Sequence, residues 1–110
     1  SNVMGEAGDS LTAFASAGDV EGVKRALETV EDSTEMNHAL VIATDLAQEE
    51  CMEVLLNARA NALATNPSSG NSLLMLAVSR RCAQGVRLLL AAKADPAHRN
   101  KVGDTALMFA

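Results

Sequence analysis

Apolar residues along this 110-residue chain come in short bursts at helical spacing. Leu74, Ala77 and Val78 stand at i, i+3 and i+4, and after a polar break Val86, Leu89 and Leu90 do so again, which places each set on one face of a helix. The pair of bursts predicts a helix-turn-helix unit. Helices of about eight to ten residues are marginal alone in water because nucleation is costly, so such a unit is stable only when stacked on neighbours. The neighbours are visible in the same pattern. Leu40-Val41-Ile42-Ala43 aligns without a gap, at an offset of 34, over Leu74-Met75-Leu76-Ala77. Met52 then falls over Val86, Leu55-Leu56 over Leu89-Leu90, and Arg59-Ala60-Asn61 over Lys93-Ala94-Asp95. Leu11 to Leu27 has the same spacing as Leu40 to Leu56 and Leu74 to Leu90, and is a further copy.

Between the helical units the composition changes. Lys93 to Gly103 contains Pro96, a terminal Gly and few apolar residues, and reads as an extended connection with a turn; Pro67-Ser68-Ser69-Gly70 is the same connection one repeat earlier. Gly70 and Gly103, 33 apart, open similar runs: Gly70-Asn71-Ser72-Leu73-Leu74-Met75-Leu76-Ala77 and Gly103-Asp104-Thr105-Ala106-Leu107-Met108-Phe109-Ala110. Leu27 and Leu40 are only 13 apart, against 18 for Leu56 to Leu74, so the first connection is expected to lack its turn tip. Three copies and the start of a fourth account for nearly the whole chain. We divide it into one repeat domain over 10–110, with repeats at about 10–32, 33–66, 67–99 and 100–110. Residues 1–9 read as a small polar leader, in which Ser1-Asn2-Val3 ahead of Met4 is a remnant of an expression vector.

The period, the paired short helices and the runs Gly103-x-Thr105-Ala106-Leu107-x-x-Ala110 and Lys93-Ala94-Asp95 resemble the ankyrin repeat, over about residues 10 to 110. The stretch Phe14-Ala15-Ser16-Ala17-Gly18-Asp19-Val20-Glu21-Gly22-Val23-Lys24-Arg25-Ala26-Leu27 is similar to that family's junction between first and second helices, with Gly18 in the left-handed conformation at a helix end. The resemblance implies an all-α fold, a solenoid of L-shaped units. Each unit has two antiparallel helices and an outward loop tipped by a β-turn.

The chain also departs from the family pattern. Ala39, Leu73 and Ala106 stand where Pro usually opens the first helix, and Val41, Met75 and Met108 where His usually follows. The polar network that ties successive repeats is therefore expected to be mostly absent. Arg81 stands where Gly18 does in the first copy, and a non-Gly residue held at positive φ costs about 1 kcal/mol. A degenerate, moderately stable array follows.

Composition narrows what such an array does. The chain is 48% hydrophobic but 2% aromatic, without Trp or Tyr, so its core rests on Leu, Val, Ala and Met. Phe14 and Phe109 are too few to build an aromatic cage or a stacking platform for single-stranded nucleic acid. The net charge of −5 disfavours attraction to nucleic acid or to anionic membranes. That charge is uneven: residues 1 to 62 carry twelve carboxylates and three cations, and residues from 63 onward two carboxylates and six cations. The longest apolar stretch, Leu73 to Val78, is far short of a membrane span. Cys51 and Cys82 show neither C-x-x-C spacing nor nearby His, which points away from a disulfide scaffold or zinc site and toward an intracellular protein, cytoplasmic or nuclear.

Little in the sequence points to catalysis. His38, at the start of a first helix, and His98, in a loop, lie in different repeats without a nucleophile beside them. Gly5-Glu6-Ala7-Gly8-Asp9 lacks the Lys and following helix of a phosphate loop. Glu49, Glu50 and Glu53 at the start of a second helix favour its dipole. Met75 and Met108 read as packing between repeats, and Leu88-Leu89-Leu90 as core. Arg80 and Arg81 beside Cys82 offer one chemical alternative, a thiol of lowered pKa and redox sensitivity. No catalytic, cofactor-binding or metal-binding residue is assigned.

A surface remains. The family resemblance implies binding of proteins through loop tips and the concave side of the first helices. Carried onto this chain, those positions are Asp45, Ser68, Ser69, Asn71, Ser79, Arg80, Arg99, Lys101 and Asp104. Four of them lie in the basic half, so an acidic segment is the expected partner, with a salt-dependent on-rate. The reading is a non-enzymatic protein-protein interaction module. The alternative is a regulatory or targeting domain of a larger enzyme whose catalytic part is absent from this chain. The domain is read as a monomer, with self-association through an open C-terminal end, exposing Leu107 and Phe109, as the other possibility.

Overall fold

The computed structural model describes residues 11–30, 33–66 and 68–109, with the side chain of Phe109 excepted. The leader with the Gly-rich stretch inside it, Ser10, Glu31, Asp32, Pro67 and Ala110 lie outside the described residues. Residues 11–17 form α1. It is followed by α2 (Val20–Leu27), α3 (Ser33–Asp45), α4 (Glu49–Asn57), α5 (Leu73–Ser79), α6 (Ala83–Ala91) and a 3-10 turn (Ala106–Phe109). The described residues hold no strand, only an isolated antiparallel bridge between Thr65 and Ser72.

Helix ends recur with the repeat. At the end of each first helix one residue takes the left-handed conformation: Gly18 at φ 74°, Ala47 at 57° and Arg81 at 59°. The next N–H then reaches back to the helix, Asp19 to Phe14 O (2.9 Å), Gln48 to Ala43 O (2.8 Å) and Cys82 to Ala77 O (3.0 Å). These bonds satisfy carbonyls that the helix end leaves open. Second helices close in the same way through Arg59 and Lys93, at φ 75° and 74°. Arg81 thus does take the place that Gly holds in the first copy.

Two layers result. First helices pack side by side, α3 on α5, and second helices do likewise, α2 on α4 and α4 on α6, while α3 pairs with α4 and α5 with α6 within their repeats. The stack measures 46 × 25 × 20 Å. Its core follows the aligned positions: Leu11, Leu40 and Leu74 are buried, as are Ala26, Leu55 and Leu89. Ala43 and Ala77, one repeat apart, are fully buried and small enough to let neighbouring helices approach. Thr44 is the one fully buried polar side chain among the described residues, and its Oγ1 donates to Leu40 O at 2.7 Å.

Several expectations need correction. His38 does not open a helix, because α3 starts at Ser33 and takes up the short first connection as extra helix. In the Leu88-Leu89-Leu90 run only Leu89 is fully buried, and Leu90 is 44% exposed on the outer side of α6. Met75 is buried as expected, whereas Met108 is 62% exposed, since the 3-10 turn seats Ala106 against α5 and leaves Leu107 and Met108 outside. Polar ties between repeats are present after all, through other residues. Gln48 Nε2 donates to Ser16 O (3.2 Å) and Asn100 Nδ2 to Asn71 Oδ1 (2.8 Å).

Candidate partner-binding surface

The two loop tips are built by asparagines. Asn66 Oδ1 accepts from the N–H groups of Ser68 (2.7 Å) and Ser69 (3.3 Å), and its own N–H donates to Asn71 O at 2.9 Å. Asn100, at the equivalent place, accepts from Val102 N (3.0 Å) and Asp104 N (2.9 Å), and its N–H donates to Asp104 O at 2.9 Å. A side-chain oxygen that caps its own turn meets the backbone's hydrogen-bonding requirement where no helix or sheet does. Gly70 and Gly103 close the tips at φ 74° and 88°, where only Gly is unstrained.

The tips are locked to each other. Lys101 N donates to Ser69 O at 3.0 Å, the Asn100 and Asn71 side chains bond, and His98 Nε2 lies 2.8 Å from Gly70 O. Because a carbonyl only accepts, that His98 nitrogen carries a proton. Below the tips, Asn61 and Asp95, aligned one repeat apart, each cap their own turn by accepting from Leu63 N and Ala97 N, both at 2.9 Å.

Seen against the sequence-derived site, this geometry divides the nine residues. Ser68, Ser69 and Asn71 lie on one tip and Arg99, Lys101 and Asp104 on the next, brought together by the bonds above. Ser68, Arg99 and Lys101 are exposed, whereas Ser69, Asn71 and Asp104 are half-buried parts of the turn framework. Arg99 Nη1 also donates to Gly103 O at 3.0 Å. Asp45, Ser79 and Arg80 sit away from the tips, at the ends of α3 and α5. Arg80 is already engaged: its Nε and Nη2 reach Asp45 Oδ1 at 2.9 and 2.6 Å. Two candidates for partner contact therefore bind each other across the repeat joint. Asn66, Asn100 and His98 were missed as organisers of this surface. Asn66 and Asn100 could have been found, because they share the offset of 34.

The thiol chemistry is opposite to the one the neighbouring arginines suggest. Cys82 is buried, which pushes its thiol above the ordinary value, and Glu49, whose Oε2 lies 3.4 Å from Sγ, pushes the same way. Arg81 is exposed and Arg80 is occupied by Asp45, so neither supplies the field that lowering needs. Burial raises the Cys51 thiol too, with Asp19 and Glu50 adding to it. Among the described residues no three His, Cys, Asp or Glu side chains gather to hold a metal ion. No described helix is long and apolar enough to cross a membrane.

The ankyrin repeat family model matches residues 69–101, which run from one tip through α5 and α6 to the next. A search of curated proteins gives no significant match. The third copy is thus similar to an ankyrin repeat, and the fold is an ankyrin-type helical repeat. Ankyrin repeats are in general protein-interaction modules.

Proposed function

We propose that this domain is a non-enzymatic module that binds a partner protein through its loop tips and the concave side of its first helices. The observation that carries the reading is the mutual locking of the tips: Asn66 and Asn100 meet the turns' own hydrogen-bonding needs, and Lys101 N, Asn100 and His98 clamp one tip to the other. A preformed polar platform loses little conformational freedom on binding, which favours affinity. With Arg80 paired to Asp45, the reading assigns the acidic segment to the cations exposed at the second tip, Arg99 and Lys101. Two free, buried cysteines support an intracellular setting, cytoplasmic or nuclear, for the domain.

The test is affinity capture from cell extract with the parent domain beside an Arg99→Glu, Lys101→Glu variant, both shown helical by circular dichroism. Partners held by the parent, lost by the variant and weakened by salt support the reading. Equal capture by both proteins refutes the tip as the binding surface.

A further inference from the structure

The first helices carry an apolar residue on the side turned away from the core. Ile42 and Leu76 stand two residues past the buried Leu40 and Leu74. A step of two residues turns a helix by about 200°, so both side chains leave on the side opposite the layer that Leu40 and Leu74 fill. Both are half-buried and lie off the core cluster, whereas Val41 and Val78, half-buried too, pack against it. Ala13, the aligned residue of α1, is exposed. Because α3 and α5 lie side by side, Ile42 and Leu76 make an apolar stripe that runs from repeat to repeat. Ile42 keeps its exposure with α5 already packed on α3, so stacking one repeat on another leaves this side open.

The stripe has two unlike borders. Toward the C-terminal ends of the first helices stand Ser16, Asp45 and Ser79, aligned with one another, and the charge of Asp45 is met by Arg80 at 2.6 Å. That border is close to neutral. At the N-terminal end of α5 lie the tips, where Arg99 and Lys101 are exposed and Asp104 is half-buried. The Arg99 guanidinium bonds a backbone carbonyl, Gly103 O, rather than a carboxylate. An occupant of the stripe therefore meets apolar side chains in the middle, cations along one edge and neutral polar groups along the other.

Spacing gives the occupant its shape. Packed helices lie about 8–10 Å apart, so Ile42 and Leu76 recur at about that distance along the stack. Seven residues of α-helix rise about 10.5 Å and bring a side chain back to the same face within about 20°. An extended strand returns to the same side at about 6.6 or 13 Å and misses this step. Resting on the protein-binding function above, we propose that the stripe seats an amphipathic helix of a partner protein, running along the stack. Its large apolar side chains at i and i+7 lie on Ile42 and Leu76, and its carboxylates line the edge that faces Arg99 and Lys101.

The probe is a fluorescein-labelled four-turn peptide with leucines at i and i+7, alanines between them on the same face, and glutamates along one edge. Its counterpart has the same residues in an order that scatters the leucines around the helix. The ordered peptide is expected to bind the parent domain at least about tenfold more tightly than the scattered one. The Ile42→Asn, Leu76→Asn variant changes no core residue and, once confirmed folded by circular dichroism, should bind both peptides alike. On the parent protein the methyl resonances of Ile42 and Leu76 should move with the ordered peptide. Arg99→Glu, Lys101→Glu should weaken its binding, most of all at low salt. Equal binding of the two peptides, both weakened by the tip variant, overturns the stripe and leaves the tips as the surface for an acidic segment. Binding that ignores the tip variant overturns the tip reading and this proposal together. Binding of neither peptide, or resonance shifts confined to the tips, overturns the stripe. Sedimentation as a dimer that the Ile42→Asn, Leu76→Asn variant breaks would give the stripe to a second copy of this chain and overturn the proposal as well.

Discussion

Asn66 and Asn100 perform the same task one repeat apart, in loops that differ by one residue. Asn66 N bonds Asn71 O, and Asn100 N bonds Asp104 O, so the second tip closes one residue sooner. Each side-chain oxygen still accepts two backbone N–H groups. The deletion accounts for the spacing of 33 between Gly70 and Gly103 in a chain whose helices repeat at 34. Asn100 does more than Asn66, because its amide nitrogen also bonds Asn71.

That difference predicts unequal costs. Asn100→Ala removes the acceptor for Val102 N and Asp104 N and the donor to Asn71, and should lower stability by about 1–2 kcal/mol. Asn66→Ala loses bonds confined to its exposed turn and should cost less. Asn100→Asp keeps the acceptor but loses the donor, and should fall between parent and Asn100→Ala. Urea denaturation of the three variants checks the order; equal midpoints for Asn66→Ala and Asn100→Ala would show that the clamp to Asn71 contributes nothing.

Asp45 and Arg80 provide a second case. Both side chains are about half-exposed, so their attraction is screened by water, and a double-mutant cycle with Asp45→Asn and Arg80→Gln should give a coupling of about 0.5 kcal/mol that fades in salt. The larger consequence concerns binding. Asp45→Asn leaves the Arg80 charge uncompensated and should strengthen association with an acidic partner, whereas a binding surface that uses Asp45 itself would be weakened by the same change.

The repeat was legible in the sequence because it is written in core positions. Leu11, Leu40 and Leu74 had to be apolar at a fixed spacing to fill one layer, so alignment recovered the helices and their order. Side-chain partners across a joint leave no such trace. Nothing in the local pattern pairs Asp45 with Arg80, 35 residues on, or places Glu49 beside Cys82; only the stacking of one repeat on another does. Reading Cys82 from its sequence neighbours therefore gave the wrong sign of perturbation. Asn66 and Asn100 lay within reach of the alignment, but their role depends on a turn geometry that residue type alone does not specify.

Backbone strain predicts a stabilising change. Ala47 sits at φ 57° and its side chain is exposed, so glycine there relieves a left-handed conformation without removing a buried contact. The relief is partly offset by the greater freedom of glycine in the unfolded chain, and Ala47→Gly should gain up to about 1 kcal/mol. A thermal melt should shift upward by a few degrees, roughly as expected for a domain of this size. Gly18→Ala, the reverse change at the aligned position, should destabilise, since its Cβ would also meet Gln48 Oε1 at 2.6 Å. A lower melting temperature for Ala47→Gly would mean that the left-handed turn is not strained.

The thiols give a prediction that depends on pH. Cys51 and Cys82 are held above the ordinary thiol value of 9.0, chiefly by burial, with Asp19 and Glu50 acting on Cys51 and Glu49 on Cys82. At neutral pH both should alkylate more slowly in the folded domain than in urea, because the reactive thiolate is scarce and shielded. The same shift acts on stability. Above 9.0 the unfolded chain releases thiol protons that the folded domain retains, so the folded state binds more protons and stability falls as pH rises; below 9.0 the contribution is present in full. Glu49→Gln removes the carboxylate beside Cys82 and should bring its titration back toward 9.0, leaving Cys51 unchanged. Rates of iodoacetamide labelling against pH, resolved by peptide mass, separate the two sites. A Cys82 that reacts at neutral pH as fast as an unfolded thiol would restore the reading from Arg80 and Arg81, and would mean that the joint between the second and third repeats opens to solvent.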